Sequence, residues 1–225
     1  MPLVYQHTIN STTKLGLWHI EENENFFLEK IPLKRDVTHP HKKLQHLAGR
    51  YLLPILFEDF PLEEIMIADT RKPFLPDEKY HFSISHCGNY AAAIVSSSQR
   101  VGIDIEIPTD KIFRISHKFM NAHEKMFLDE QMSTLQLMQL ATLLWSTKEA
   151  MFKWHGDGGL DFKEHLRIKN IEGTNEEGKL ICQFRKFEEV LLTVKYRFMK
   201  ELVMSWVSSI NTKDDNKLKN IHFSF

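Results

Sequence analysis

Cysteine is scarce in this chain: Cys87 and Cys182 stand alone, with no metal-type spacing between them. That argues against a disulfide scaffold or a thiolate zinc centre and fits a reducing compartment, so a cytoplasmic location is expected. Long apolar runs are missing too. No stretch reaches membrane length, and the segment from Met1 to His7 has no basic region leading into an apolar core, so neither a membrane association nor a leader is expected. An excess of either charge is also lacking. Lys and Arg number 29 against 30 Asp and Glu, a net charge of −1, so no global field draws the protein to nucleic acid or to a membrane. Also absent are a Gly-x-x-x-x-Gly-Lys-Ser/Thr loop, a nucleophile elbow, a zinc-type Cys/His set and a Gly-x-Gly-x-x-Gly turn. No linker rich in Gly, Pro or Ser divides the 225 residues, and no internal repeat stands out. At 42% hydrophobic and 26% charged, the composition is that of a globular protein, long enough for one large domain or two small intimate ones.

What is present centres on Val101-Gly102-Ile103-Asp104-Ile105-Glu106-Ile107. Apolar residues alternate with Gly102, Asp104 and Glu106, the period of a strand with one buried face. Side chains two apart leave the same face, so both carboxylates stand side by side, next to a glycine that takes no room. Like charges that close resist ionising together unless a cation sits between them. Carboxylate oxygens suit a hard cation such as Mg²⁺, which takes one or two of them plus phosphate oxygens. An acidic edge strand facing solvent has the same pattern.

Around this stretch the sequence predicts strands at 3–9 and 15–20, a short helix over 24–30, and a helix that begins near Thr38 and Pro40. That helix carries Lys42, His46 and Arg50 on one side, beside Lys43. A strand is predicted at 64–68. A hairpin is predicted over 80–86 and 90–97, with Ser83 and Ser85 on one face and His86 at the strand end. Asn121 and Glu124 form a helix-capping pair. Ser133 opens a longer helix that Gly156 stops, and strands follow at 166–169, 179–187, 190–198 and 202–210. The polar run from Asn211 reads as a tail.

The residue types specify a chemistry. Asp104, Glu106 and Glu124 could hold a divalent cation, while His86, Lys148 and Lys153 could meet phosphate oxygens. Glu149, flanked by lysines that favour its charged form, could accept a proton. Such a set suits attack on a pyrophosphate. Each member also has a plainer reading: Glu124 as half of a capping box, and Glu149 with Lys153 as a surface ion pair worth roughly 0.2–0.5 kcal/mol.

Three blocks, Ser83-Ile84-Ser85-His86, Val101 to Glu106, and Trp145-Ser146-Thr147-Lys148-Glu149-Ala150-Met151-Phe152-Lys153, occur in the order found in the 4′-phosphopantetheinyl transferases. The chain resembles the two-halved, surfactin-synthetase-activating type of that family, from about Lys42 to Leu160. The resemblance implies an α+β fold, a pseudo-twofold pair of similar α+β halves with the active site in the cleft between them. We take these as 1–104 and 105–212, followed by a tail at 213–225, in a monomer. It implies transfer of 4′-phosphopantetheine from coenzyme A to a serine of an apo acyl or peptidyl carrier protein, with release of 3′,5′-ADP. Fatty-acid, polyketide and nonribosomal-peptide carriers all fit.

Position by position, the resemblance makes Asp104, Glu106 and Glu124 the Mg²⁺ ligands (Mn²⁺ being an alternative). Lys148 and Lys153 fall on the coenzyme A pyrophosphate, and Glu149 becomes the base for the carrier serine. Ser85 and His86 fall on the coenzyme phosphates, and Lys72-Pro73 beside the adenine. Two departures stand out. Arg71 replaces the glycine common before Lys-Pro. Gln45 occupies a commonly basic position, so Lys34, Arg35, Lys42, Lys43 and Arg50 become the candidates for the 3′-phosphate. Carrier docking is expected near Ile112, Phe113, Arg114, Lys118, Phe119 and Met120, with Lys111 and Lys125 adding charge. The rival readings are a Mg²⁺-dependent coenzyme A pyrophosphate hydrolase and a carrier-binding module without catalysis.

Overall fold

A computed structural model describes residues 2–32, 37–129 and 131–209. In chain order the elements are β1 (Leu3–Asn10), β2 (Thr13–His19), α1 (Glu24–Leu28), α2 (Pro40–Leu56), a 3₁₀ turn at Leu62–Glu64, β3 (Met66–Ile67), β4 (Pro73–Phe74), β5 (His81–Cys87), β6 (Tyr90–Ser96) and β7 (Arg100–Glu106). Then come the short α3 (Asp110–Arg114), α4 (Ser116–Phe119) and α5 (Ala122–Lys125), the long α6 (Thr134–His155), and β8 (Leu166–Gly173), β9 (Glu177–Arg185), β10 (Glu189–Met199) and β11 (Leu202–Ser209). The expected α+β class is what forms.

Each half is a sheet backed by one long helix. Antiparallel β1-β2-β6-β5 carries α2, and antiparallel β7-β11-β10-β9-β8 carries α6. The expected boundary at residue 104 would cut β7. That strand is whole and pairs with β11 in the second sheet. The polar tail lies outside the described residues.

Local chemistry sets the ends of these elements. Ser133 and Gln136 form a reciprocal capping box at the start of α6, and Gly156 ends it in a left-handed conformation (φ 85). At α2 the His39 side chain, not Thr38, accepts from the Lys42 amide, and Pro40 fills the first turn. The strand predicted at 64–68 shrinks to Met66–Ile67, because the residues before it close a 3₁₀ turn.

Three apolar clusters hold the layers. Leu47, Leu52, Phe60 and Phe82 lie under α2. Leu144, Met151, Trp154, Ile168 and Val194 lie under α6. The third, with Leu15, Leu17, Ile94, Ile103, Ile105 and Trp206, crosses from β2 and β6 to β7 and β11, so both sheets share one apolar face. The edges of β5 and β7 run side by side in the same direction. In place of a backbone ladder, Ser83 Oγ accepts from the Ile103 amide (3.2 Å) and Ser85 Oγ from the Ile105 amide (3.3 Å).

Gly102 permits the other face of β7 to meet α6. A Cβ there would stand 2.0 Å from the Ala150 carbonyl oxygen and 2.7 Å from the Trp154 nitrogen. Neither backbone atom can move alone, so Gly102→Ala should lower stability by about 3 kcal/mol, at or beyond the top of the usual overpacking range. Urea unfolding measures this, and a cost near zero would show that the contact is not tight.

Candidate active site

On β7, Ile103 and Ile105 enter the shared apolar core, so Asp104 and Glu106 emerge on the α6 side, next to Gly102. This is not a solvated acidic edge. Asp104 is only 3% exposed. Its Oδ1 accepts from Ser85 Oγ (2.9 Å) and from Lys153 Nζ (2.7 Å), while Oδ2 is buried with no hydrogen-bond partner. Glu106 accepts from Trp145 Nε1 (3.2 Å) and, weakly, from Cys87 Sγ (3.5 Å).

Helix α6 supplies the opposing wall. Trp145, Glu149 and Lys153 recur every four residues and share one stripe. Ser146 Oγ donates to the Asp104 carbonyl (3.3 Å), fixing the helix against the strand. Lys153 does not pair with Glu149 four residues earlier; it pairs with Asp104 and donates across the seam to Ser85 Oγ (2.8 Å). Glu149 is therefore left facing two carboxylates. Its carboxyl is pushed up to about 7, by burial first and then by Asp104, with Lys153 opposing and Glu106 adding to the rise. Glu106 is raised as well, by burial and then by Asp104. The expectation that flanking lysines would keep Glu149 charged fails, because Lys148 points elsewhere.

Lys148 is completely buried, and its ammonium donates to Glu124 Oε2, the Phe119 carbonyl and the Phe162 carbonyl, each at 2.7 Å. Those three acceptors use all its protons. Glu124, also fully buried, completes a capping box with Asn121 and accepts from the Ile168 amide (2.8 Å). The pair staples α5 and β8 to α6. Glu124 thus leaves the predicted cation set and Lys148 the predicted phosphate set, and Glu149 is the third carboxylate the fold brings to Asp104 and Glu106.

His86 stands at the end of β5 with its ring exposed. Partial desolvation, followed by the Lys153 charge, depresses the imidazole; Asp104 raises it and Lys42 lowers it, which puts all of them in one neighbourhood. Lys153 also lines a 220 Å³ cavity with Ser83, Ile84, Phe152, Lys72 and Pro73. Arg71, beside it, adopts a left-handed φ of 67. This is a conformation glycine takes without strain, at the position where glycine was expected.

Of the other predicted basic residues, Lys43 pairs with Glu24, and Arg50 Nη1 lies 2.6 Å from His46 Nε2. Lys34 and Arg35 lie outside the described residues. Gln45 donates to the Gly88 carbonyl (2.8 Å), bracing the β5–β6 turn. Near the predicted docking segment, Ile112, Phe119 and Met120 are core residues under α6, no more than 8% exposed. Phe113 is half-buried, while Lys111, Arg114, Lys118 and Lys125 are exposed, as is Met126.

Trp145, Ser146 and Cys87 were not foreseen as partners of the carboxylates. The four-residue recurrence of 145, 149 and 153 was the available signal, and it also separates Lys148 from that stripe.

The oxygen donor set fits a hard divalent cation: three carboxylates, among which the Asp104 charge raises both Glu106 and Glu149, and a buried Asp104 oxygen lacking a partner. Among the described residues no three such side chains already converge at metal-binding spacing, and Lys153 neutralises Asp104 instead.

Residues 100–207, from β7 to β11, match the family model described as the 4′-phosphopantetheinyl transferase superfamily. Over 119 residues the chain is 33% identical to enterobactin synthase component D of Salmonella typhi, covering 52% of this chain and 49% of that protein. It is 24% identical over 184 residues to 4′-phosphopantetheinyl transferase AcpT of Escherichia coli O157:H7, covering 80% and 90%. It is also 31% identical over 114 residues to 4′-phosphopantetheinyl transferase gsp of Aneurinibacillus migulanus, covering 50% and 46%. The chain thus spans about half the length of the enterobactin synthase relative.

Two consequences can be measured. Lys148→Ala leaves Glu124 charged in the core and should cost about 3–5 kcal/mol in urea unfolding; a lysine reserved for ligand would cost far less. A carboxyl whose folded pKa exceeds its unfolded one destabilises only when ionised, so the penalty from Glu149 is absent in acid and complete above about pH 7. In the metal-free protein, Glu149→Gln should match wild type near or below about pH 4 and melt about 2–4 °C higher near pH 8. Equal melting temperatures at both pH values would contradict this.

Proposed function

From the membership of residues 100–207 in the 4′-phosphopantetheinyl transferase superfamily, we propose that the protein moves 4′-phosphopantetheine from coenzyme A to a serine of an apo carrier protein and releases 3′,5′-ADP. One observation carries the reading: Asp104 and Glu106 on β7 face Glu149 and Lys153 on α6 beside the seam of the two halves, and Lys153 borders a cavity beside Lys72-Pro73. Among the described residues no helix is long and apolar enough to cross a membrane, in keeping with a carrier and a coenzyme that meet the protein in water.

Asp104, Glu106 and Glu149 are the side chains that would hold Mg²⁺ or Mn²⁺, with Glu149 in the place first given to Glu124. Bound there, the ion would neutralise charge on the pyrophosphate as its bond breaks. Lys153, already a counter-ion to Asp104, is long enough to meet a phosphate oxygen from the cavity side. His86 feels the charges of Lys153, Asp104 and Lys42, and Lys42 is the exposed candidate for the 3′-phosphate. The carrier serine hydroxyl attacks the β-phosphorus, its proton passes to Glu149, and the P–O bond to 3′,5′-ADP breaks. Ser85 positions both Asp104 and Lys153.

Exposed Lys111, Arg114 and Lys118 offer an acidic helical carrier its docking charge, without the apolar anchors first expected there. The relative named as a component of enterobactin synthase favours a carrier belonging to a peptide-synthase assembly.

Intact-mass analysis of apo carriers after incubation with coenzyme A and Mg²⁺ tests this. The carrier should gain one phosphopantetheine group, with matching 3′,5′-ADP. Glu149→Gln should lose about 10²-fold or more in rate while binding coenzyme A nearly as well. Rapid 3′,5′-ADP release without a carrier would instead identify a hydrolase, and no turnover on several carriers would identify a binding module.

A further inference from the structure

A second cavity, 410 Å³ in volume, opens on the other side of the Lys72-Pro73 segment. It shares Thr70, Lys72, Pro73, Phe82 and Gly156 with the smaller cavity but lacks its Lys153, and is lined instead by Arg100 at the start of β7 and His155 at the end of α6. Of the three blocks that define the transferase site only Val101 reaches it, and Lys72 and Pro73 line both cavities.

Its floor is cationic. Lys72 and Arg100 are both half-buried, and among the described residues neither side chain makes an ion pair or hydrogen bond. Lys72 lies over Gly156, whose φ of 85 and missing Cβ make room for it: a Cβ there would stand 2.4 Å from the ammonium nitrogen. His155 is 8% exposed, and its Nε2 is buried with no hydrogen-bond partner. The nearest acid to it is Asp157, at 4.0 Å. His81 completes the set from β5.

Three carboxylates also line the cavity, Asp69, Glu78 and Asp157, and all three are exposed. The fold thus leaves the acids at the rim in water and the cations desolvated below, the reverse of what pairing would produce. The groups feel one another. Lys72 is drawn down to about 8 by burial and then by Arg100, against Asp157. His155 is lowered by burial, with Lys186, Arg100 and Lys72 adding to the fall and Asp157 opposing. His81 is lowered by burial, with Arg100 and Lys72 adding and Glu78 opposing. Phe74 and Phe82 supply apolar wall. The volume is within the range of small-molecule sites, roughly 300–1,000 Å³.

We propose that this cavity binds a phosphate-bearing small molecule, with the phosphate held between Lys72, Arg100 and the His155 imidazole and the remainder against Phe74 and Phe82. An anion there would supply the partners that two half-buried cations and an orphaned ring nitrogen lack, and bonds from charged donors are the strong kind. The inference stands on the cavity itself and does not require the transfer reaction.

Inorganic phosphate is the first probe, titrated into the full chain while the ring resonances of His81 and His155 are followed by NMR. Both should shift saturably. Arg100→Gln should weaken the apparent affinity about tenfold or more, and Lys195→Gln, which removes an exposed cation from β10 outside both cavities, should leave it unchanged. Coenzyme A and dephospho-coenzyme A distinguish the sources. If only coenzyme A moves the two rings, the phosphate is its 3′-phosphate; if inorganic phosphate moves them and coenzyme A does not, the ligand is a separate molecule. Rings that do not respond to any of the three probes, or a phosphate response unaltered in Arg100→Gln, would overturn the proposal. Carrier loading in the mass assay would be untouched by that failure.

Discussion

The Ser85 hydroxyl is the point at which the structure is tied together. It donates to Asp104 Oδ1 and accepts from the Ile105 amide and the Lys153 ammonium. One donor and two acceptor sites are all a hydroxyl has, so the group is saturated by one strand and one helix of the other half. The same atom closes the seam between two sheet edges, orients a buried carboxylate and holds its counter-ion. An unpaired strand edge invites association with another chain. Here a pair of serines satisfies part of that edge, and the apolar face shared behind it makes the two halves pack as one body.

From that seam follows the division of labour on α6. Consecutive helical residues point about 100° apart, so Lys148 and Glu149 cannot both face β7. The chain resolves this by burying Lys148 with Glu124 and leaving Trp145, Glu149 and Lys153, four residues apart, on the side that faces Asp104 and Glu106. The cost is an acid cluster with one cation for three carboxylates, which is why Glu149 is held near neutrality. Strain of this electrostatic kind is common where a site awaits a charged ligand.

Much of this was legible in the residues. The alternation from Val101 to Glu106 predicts the strand and the shared face of its carboxylates, and Ser133 and Gly156 bracket α6. The turn between β5 and β6 follows from Cys87-Gly88-Asn89. What the sequence could not convey was direction. Lys148 sits in the same signature block as Lys153, and only packing against Phe119 and Phe162 turns it inward. The basic and apolar mixture from Lys111 to Met120 suited a docking face equally well, until Ile112, Phe119 and Met120 proved to be core. Glu124 illustrates the opposite lesson, since its capping pair with Asn121 was the plainer reading and is the one the fold adopts. The role of Arg100 had no signal at all, because a lone basic residue at a strand start acquires meaning only from the cavity below it.

The contact of Gly102 with the Ala150 carbonyl has a mechanical consequence. Asp104 lies two residues along the strand from that contact, and Glu149 is the immediate neighbour of Ala150 on the helix. The separation of the two acids is therefore governed by backbone touching backbone, with no intervening side chain to act as a cushion. Thermal motion of the two carboxylates is coupled to the breathing of the sheet and helix beneath them, and the site cannot soften while the hydrophobic interior stays firm.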